Sequence, residues 1–320
     1  MTDHQPPRLD RIVIGTDFSE PARAAAEWAV GVLAPNADVM LVHALDLDAP
    51  DSLGDPVPTV SDAVLRAARE FADARLRDLA NALARPGARV EVPAGSPPSA
   101  IAALAENWGA DLIVVGPHGA RVPGSNRLGT SAERLIRISP IPVLLATGTD
   151  DRRPRRLLLP VDEVDLTAAV LDWARMLAHR DGAAVTLVHV LDPRLHALPS
   201  GRLVSGSDAD AAGDGAATPE DVTVATEAWL GRLAGELSGS VQVDLIVESG
   251  RAGEHVLAAA RRSSADLIVM GRRGRGRVHP GVLGSTASVV LRETSCPVLV
   301  VVDPTDAILD DWPVETTAGA

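Results

Sequence analysis

Apolar runs of five to seven residues alternate along the chain with longer stretches whose apolar positions recur at helical spacing. The pattern predicts strands over 11–16, 38–44, 88–94, 111–116 and 142–147, and helices over 20–34, 61–84, 98–108 and 130–138. The same succession then returns. Strands are predicted over 155–161, 184–190, 241–248, 266–271 and 297–302, with helices over 165–180, 219–237, 251–264 and 285–294. Strands that are apolar without polar alternation are buried on both faces, which requires a parallel sheet covered by helices.

The return is a duplication in the sequence itself. DLIVVG at 111–116 recurs as DLIVMG at 266–271, IPVLLA at 141–146 as CPVLVV at 296–301, and LVHALD at 41–46 as LVHVLD at 187–192. The offset is 145 between Asp17 and Asp162 and 155 from Gly95 and Gly250 onward. The second copy takes up the difference near the Gly/Ser/Ala/Asp-rich stretch from Ser205 to Ala217, which reads as a disordered loop. Alternating β and α units predict two tandem doubly wound α/β domains. Each is a Rossmann-like, five-stranded and mainly parallel sheet with helices on both faces. The expected division is 1–150, 151–303 and a C-terminal tail over 304–320. In such sheets ligands sit beyond the carboxyl ends of the strands where strand order reverses, so the loops after strands one and four of each copy are the places to look.

Composition narrows the chemistry. The formal charge is −13, with 13 Arg against 19 acids in the first 150 residues and 17 against 24 in the rest, so the broad basic face of a nucleic-acid binder is missing. Every basic side chain is Arg; without Lys there is neither a Walker-type P-loop nor a lysine Schiff base. The single cysteine, Cys296, excludes an intramolecular disulfide, and no repeated His/Asp/Glu set has the spacing of a metal site. The first residues carry no apolar signal core and no apolar run is long enough to span a bilayer, so a cytoplasmic protein without membrane contact is expected.

The loops after strand four share one spacing. Gly116-Pro117-His118-Gly119 is followed, after nine intervening residues, by Gly129-Thr130-Ser131, and Gly271-Arg272-Arg273-Gly274, after nine intervening residues, by Gly284-Ser285-Thr286. Glycines let backbone amides approach an anion, and a Gly-Ser/Thr that opens a helix adds its N–H groups and dipole, the logic of a phosphate cradle. A Gly-rich turn followed by an ordinary helix cap is the competing reading, less economical for a spacing that occurs twice. Pro117 has no N–H to offer the first loop, whereas Arg272, Arg273, Arg275 and Arg277 give the second a cationic cluster suited to phosphates. His118 and His279 stand at different places in the two loops, which argues against a shared catalytic role. His43 and His189 end apolar strands and read as core residues with one satisfied nitrogen.

These glycine loops, the strand-one Asp, the DLIV-x-G strand and the terminal x-PVL strand together resemble the universal stress protein family in its tandem two-domain form, over residues 8–147 and 154–302. The glycine spacing is similar to that of the ATP-binding branch. The resemblance implies one adenine nucleotide per copy, ATP for preference, with Mg accompanying the phosphates. It places Gly15, Asp17 and Ala44 in copy one and Pro160, Asp162 and Val190 in copy two beside the adenosine. It places Gly116, His118, Gly119, Gly129, Thr130 and Ser131, and Gly271, Arg273, Gly274, Gly284, Ser285 and Thr286, at ribose and phosphates. Asp162-Glu163-Val164-Asp165 departs from the Asp-Phe-Ser of copy one, so unequal affinities are expected. The family pairs subunits through its final strand, which implies an intrachain pseudo-dimer here and a homodimer of whole chains.

The expectation is a nucleotide-dependent binding or signalling module in the stress response, with no catalytic residue assigned. Alternatives are a weak ATP-hydrolysing or other nucleotide-handling enzyme, or a structural pseudo-dimer with empty sites.

Overall fold

The computed structural model describes residues 6–46, 61–119, 128–147, 152–162, 168–191, 219–237, 239, 241–272 and 282–302. The loop over 205–217 and the tail over 304–320 lie outside them. The first half runs β1 (Arg11–Gly15), α1 (Glu20–Trp28), β2 (Asp38–Val42), α2 (Asp62–Ala82), β3 (Arg89–Glu91), α3 (Pro97–Trp108), β4 (Leu112–Val115), α4 (Thr130–Ile138) and β5 (Val143–Leu145). The second runs β6 (Arg156–Pro160), α5 (Ala168–Asp181), β7 (Ala184–Leu191), α6 (Pro219–Leu237), β8 (Val243–Ser249), α7 (Ala252–Arg262), β9 (Leu267–Gly271), α8 (Ser285–Glu293) and β10 (Val298–Val301). The helix expected over 20–34 closes in a π-helical turn, Ala29–Leu33, after α1. The strand expected over 88–94 pairs as a ladder only over β3, because Pro93 has no N–H to extend it.

All ten strands form one sheet in the order β3-β2-β1-β4-β5-β10-β9-β6-β7-β8. Every pairing is parallel except β5 with β10, where the halves meet antiparallel. Their register is Leu145 opposite Val298, Leu144 opposite Leu299 and Val143 opposite Val300. At the repeat offset of 155, Leu144 and Leu299 are counterparts, so each copy's central residue faces its own equivalent across a pseudo-twofold axis. The internal pairing expected of the two final strands is therefore present. All six side chains are at most 2% exposed.

Strand alternation sends Leu144 and Leu299 to one face, where α1, α2, α5 and α6 bury them in a core shared by both halves. Val143, Leu145, Val298 and Val300 point to the other, against α3, α4, α7 and α8. The repeated Asp of DLIV is a strap at the amino ends of the strands. Asp111 accepts the Asp10 and Arg11 amides at 2.8 Å each, and Asp266 accepts those of Arg155 and Arg156 at 3.0 and 2.8 Å. Three arginines also cross between halves. Arg180 Nη1 donates to Leu33 O at 2.7 Å, Arg292 pairs with Glu133 at 3.0 Å, and Arg272 reaches the end of α4.

Candidate functional site

Strand order reverses between β1 and β4 in the first half and between β6 and β9 in the second. Such switch points define one crevice per half, beyond the carboxyl ends of the strands, and in the first half the loop glycines let the described loop ends converge there. A Cβ on Gly116 would stand 3.0–3.1 Å from backbone atoms of Pro21 and Ala22, so this glycine seats the start of α1 against the end of β4. A Cβ on Gly119 would stand 2.5 Å from Asp17 Oδ2, and the strand-one carboxylate fills the space a side chain would need. A Cβ on Gly129 would stand 3.3 Å from His118 Cα. The three glycines thus bring α1, Asp17 and the start of α4 to one place. Gly15 ends β1 beneath them, fully buried beside Ile101 and Val115.

The turn after β1 holds itself. Thr16 Oγ1 accepts the Phe18 amide at 3.0 Å and Asp17 Oδ1 accepts the Ser19 amide at 3.0 Å, while Ser19 caps α1. Between these bonds Phe18 takes φ 64°, a left-handed conformation rare for an aromatic residue. Its ring lies 4.5 Å from that of His43, and the Arg75 guanidinium from α2 sits 4.5 Å above it. His43 Nδ1 donates to Thr16 O at 2.8 Å, and His189 Nδ1 donates to Val161 O at the same distance. A carbonyl can only accept, so both rings carry their proton on Nδ1 when neutral. These histidines are latches between the first two strands of each half. Ala44 and Val190 follow them, the first buried and the second half-buried.

Both glycine loops close by the same bond. Gly129 N donates to Pro117 O at 2.8 Å, and Gly284 N donates to Arg272 O at 3.1 Å. Pro117 therefore serves as an acceptor, and its missing N–H is no handicap at this closure. The next residues, Thr130 and Ser131 in α4 and Ser285 and Thr286 in α8, occupy first helical turns, where N–H groups have no intrahelical acceptor. Thr130, Ser131 and Ser285 are exposed and Thr286 is half-buried. His118 Nδ1 is buried without a hydrogen-bonding partner. In the second half Pro160 ends β6, Asp162 is half-buried just beyond it, and Gly271 ends β9. Arg273 and Gly274, together with Arg275, Arg277 and His279, lie outside the described residues.

The expectation for Arg272 is corrected. It is 5% exposed, and its Nη1 donates to Arg137 O at 3.0 Å and Ser139 O at 2.9 Å, at the carboxyl end of α4 in the other half. Four carboxyl-terminal carbonyls of a helix lack intrahelical donors, and a cation there also suits the helix dipole. This guanidinium is thus committed to the junction between the halves. Among the described residues no group of three or more His, Cys, Asp or Glu side chains is placed to hold a metal. No described helix is long and apolar enough to cross a membrane.

The sequence profile described as the universal stress protein family matches residues 8–147 and again 154–302. The chain belongs to the universal stress protein family. A universal stress protein of Mycolicibacterium smegmatis is 26% identical over 304 residues, covering 91% of this chain and 96% of that protein. One of Thermus aquaticus is 46% identical over 65 residues, 20% of this chain and 47% of its own length, so the match spans about half of that relative. Among solved structures, a universal stress protein from Archaeoglobus fulgidus DSM 4304 superposes with a TM-score of 0.65 at 22% identity, covering 92% of this chain and 98% of that one. That likeness shows the fold.

Two features of this universal stress protein's crevices escape sequence reasoning. Phe18's left-handed backbone has no signature in a phenylalanine, although the flanking Thr16 and Asp17 are turn formers. The role of Arg272 had a visible signal: its repeat counterpart is Pro117, which no shared phosphate function explains.

Proposed function

We propose that each half, residues 1–150 and 151–303, holds one adenine nucleotide, ATP for preference, and that the chain acts as a nucleotide-dependent binding module. The observation that carries the reading is the first crevice, where Gly116, Gly119 and Gly129 pack closely against α1, Asp17 and His118 and bring Asp17 and the α4 amino terminus together. The residues fit the ligand. Thr130 and Ser131 present a hydroxyl each and first-turn amides to an anion, Asp17 offers a carboxylate to ribose hydroxyls, and His118 Nδ1 has an unmet hydrogen bond. Mg, when bound with the phosphates, would offset their charge beside Asp17.

The second crevice has the same loop closure and helix start, which supports a second site of different affinity. His118 has Arg273 as its repeat counterpart, so a hydrolytic role for this histidine would not be shared by the two halves. Calorimetric titration of the full chain with ATP tests the reading. Two binding events are expected, one lost in Gly129→Asp and the other in Gly284→Asp. Absence of heat at millimolar ATP would favour a structural pseudo-dimer.

A further inference from the structure

We propose that Arg272 couples the two crevices, so that a change at the Arg272–Gly284 closure of the second half is felt in the first through α4. The inference rests on the nucleotide reading only for the ligand it names; the mechanical link stands on the geometry.

Arg272 belongs to both sites at once. Its carbonyl receives the Gly284 amide at 3.1 Å, the bond that closes the second loop and sets the start of α8. Its own amide donates to Val301 O at 3.2 Å, fixing it to β10. Its guanidinium crosses the pseudo-twofold to hold Arg137 O and Ser139 O. The helix it holds is α4, only nine residues long, whose other end carries Gly129, Thr130 and Ser131 of the first crevice. A helix this short moves as one piece, so a displacement gripped at Ser139 arrives at Thr130. Glu133, in the first turn of α4, also accepts Arg137 and Arg292 from the last turn of α8, but the Arg292 side chain is more than half exposed, so this pair holds α4 weakly beside the buried Arg272. The link is unequal between copies, because Pro117, the counterpart of Arg272, has no side-chain donor to send toward α8. Thermodynamic coupling is nonetheless reciprocal, so ligand in the first crevice must act on the second by the same factor.

The test perturbs the second loop and reads the first helix. In the full chain, amide hydrogen exchange over residues 128–139 is compared for wild type, Gly284→Asp, Arg272→Met and the double variant, without nucleotide. Gly284→Asp is expected to raise exchange in α4 several-fold where Arg272 is present and to leave it unchanged on the Arg272→Met background. Arg272→Lys, which keeps the charge and one donor, should restore part of the response and serves if Arg272→Met fails to fold. Indifference of α4 to Gly284→Asp, or a response that survives Arg272→Met, overturns the coupling. ATP titration of the same proteins reads the nucleotide side separately. Gly284→Asp should shift first-site affinity about five-fold or more with Arg272 present and not without it. Absence of ATP binding in every variant, with the exchange response intact, would sink the nucleotide reading and leave the coupling standing.

Discussion

Gly119→Ala separates ligand geometry from fold stability at a single atom. The added Cβ would stand 2.5 Å from Asp17 Oδ2, well inside van der Waals contact, but the neighbour is the end of an exposed side chain. Asp17 can swing outward at the cost of its bond to the Ser19 amide, about 1 kcal/mol net for an exposed group. The carboxylate then leaves the crevice. First-site ATP affinity should fall about ten-fold, equivalent to roughly 1.4 kcal/mol. Gly116→Ala is the contrasting case, since its Cβ meets backbone of Pro21 and Ala22 at 3.0–3.1 Å and backbone cannot rotate away. Overpacking of that kind costs about 1–3 kcal/mol. At roughly 2–4 °C per kcal/mol it should lower the melting temperature by roughly 2–12 °C. Calorimetry and thermal melts of both variants check the pair. Unchanged first-site binding in Gly119→Ala, or a melt that falls as far as that of Gly116→Ala with binding intact, would refute the reasoning.

Three further outcomes follow from the same structure. Leu299→Ala, at the pseudo-twofold, should cost about 2–5 kcal/mol in urea unfolding, because Leu299 is 2% exposed and faces an equally buried Leu144. Glu248, at the end of β8, is held below the usual carboxylate range first by its hydrogen bond to His255 and then by the Arg262 guanidinium. A depressed pKa stabilises the fold above the ordinary Glu range and stops doing so as pH falls through the folded value. Glu248→Gln should therefore destabilise at pH 7, and its unfolding curves should approach those of wild type as pH falls below the ordinary Glu range. Burial pushes the Cys296 thiol up, so Ellman's reagent at pH 8 should modify it far more slowly in the native protein than in urea.

Much of the fold was legible because the duplication gave each inference twice. A buried run such as LIVV in β4 has no polar alternation, and its twin in β9 repeats the fact, so a central parallel strand follows from either. The helices over 130–138 and 219–237 appear with the expected bounds. The π turn after α1 left no trace, since Ala29–Leu33 differs from an α-helical segment only in hydrogen-bond register. In the crevice, glycine spacing located the loops, but it did not reveal that each glycine has its own neighbour. Gly116 faces a helix, Gly119 a carboxylate and Gly129 a loop backbone, and three-dimensional proximity decides which is which. Arg272 was misassigned because charge suggested phosphate, while the acceptors it uses are backbone carbonyls that no sequence displays.

The central claim is that both crevices hold an adenine nucleotide. The most direct measurement purifies the full chain without added nucleotide, denatures it, and quantifies the released nucleotides by chromatography against protein concentration, followed by ATP titration of any unfilled site. The account predicts a total near two adenine nucleotides per chain. No nucleotide released, followed by no binding of added ATP, would contradict it.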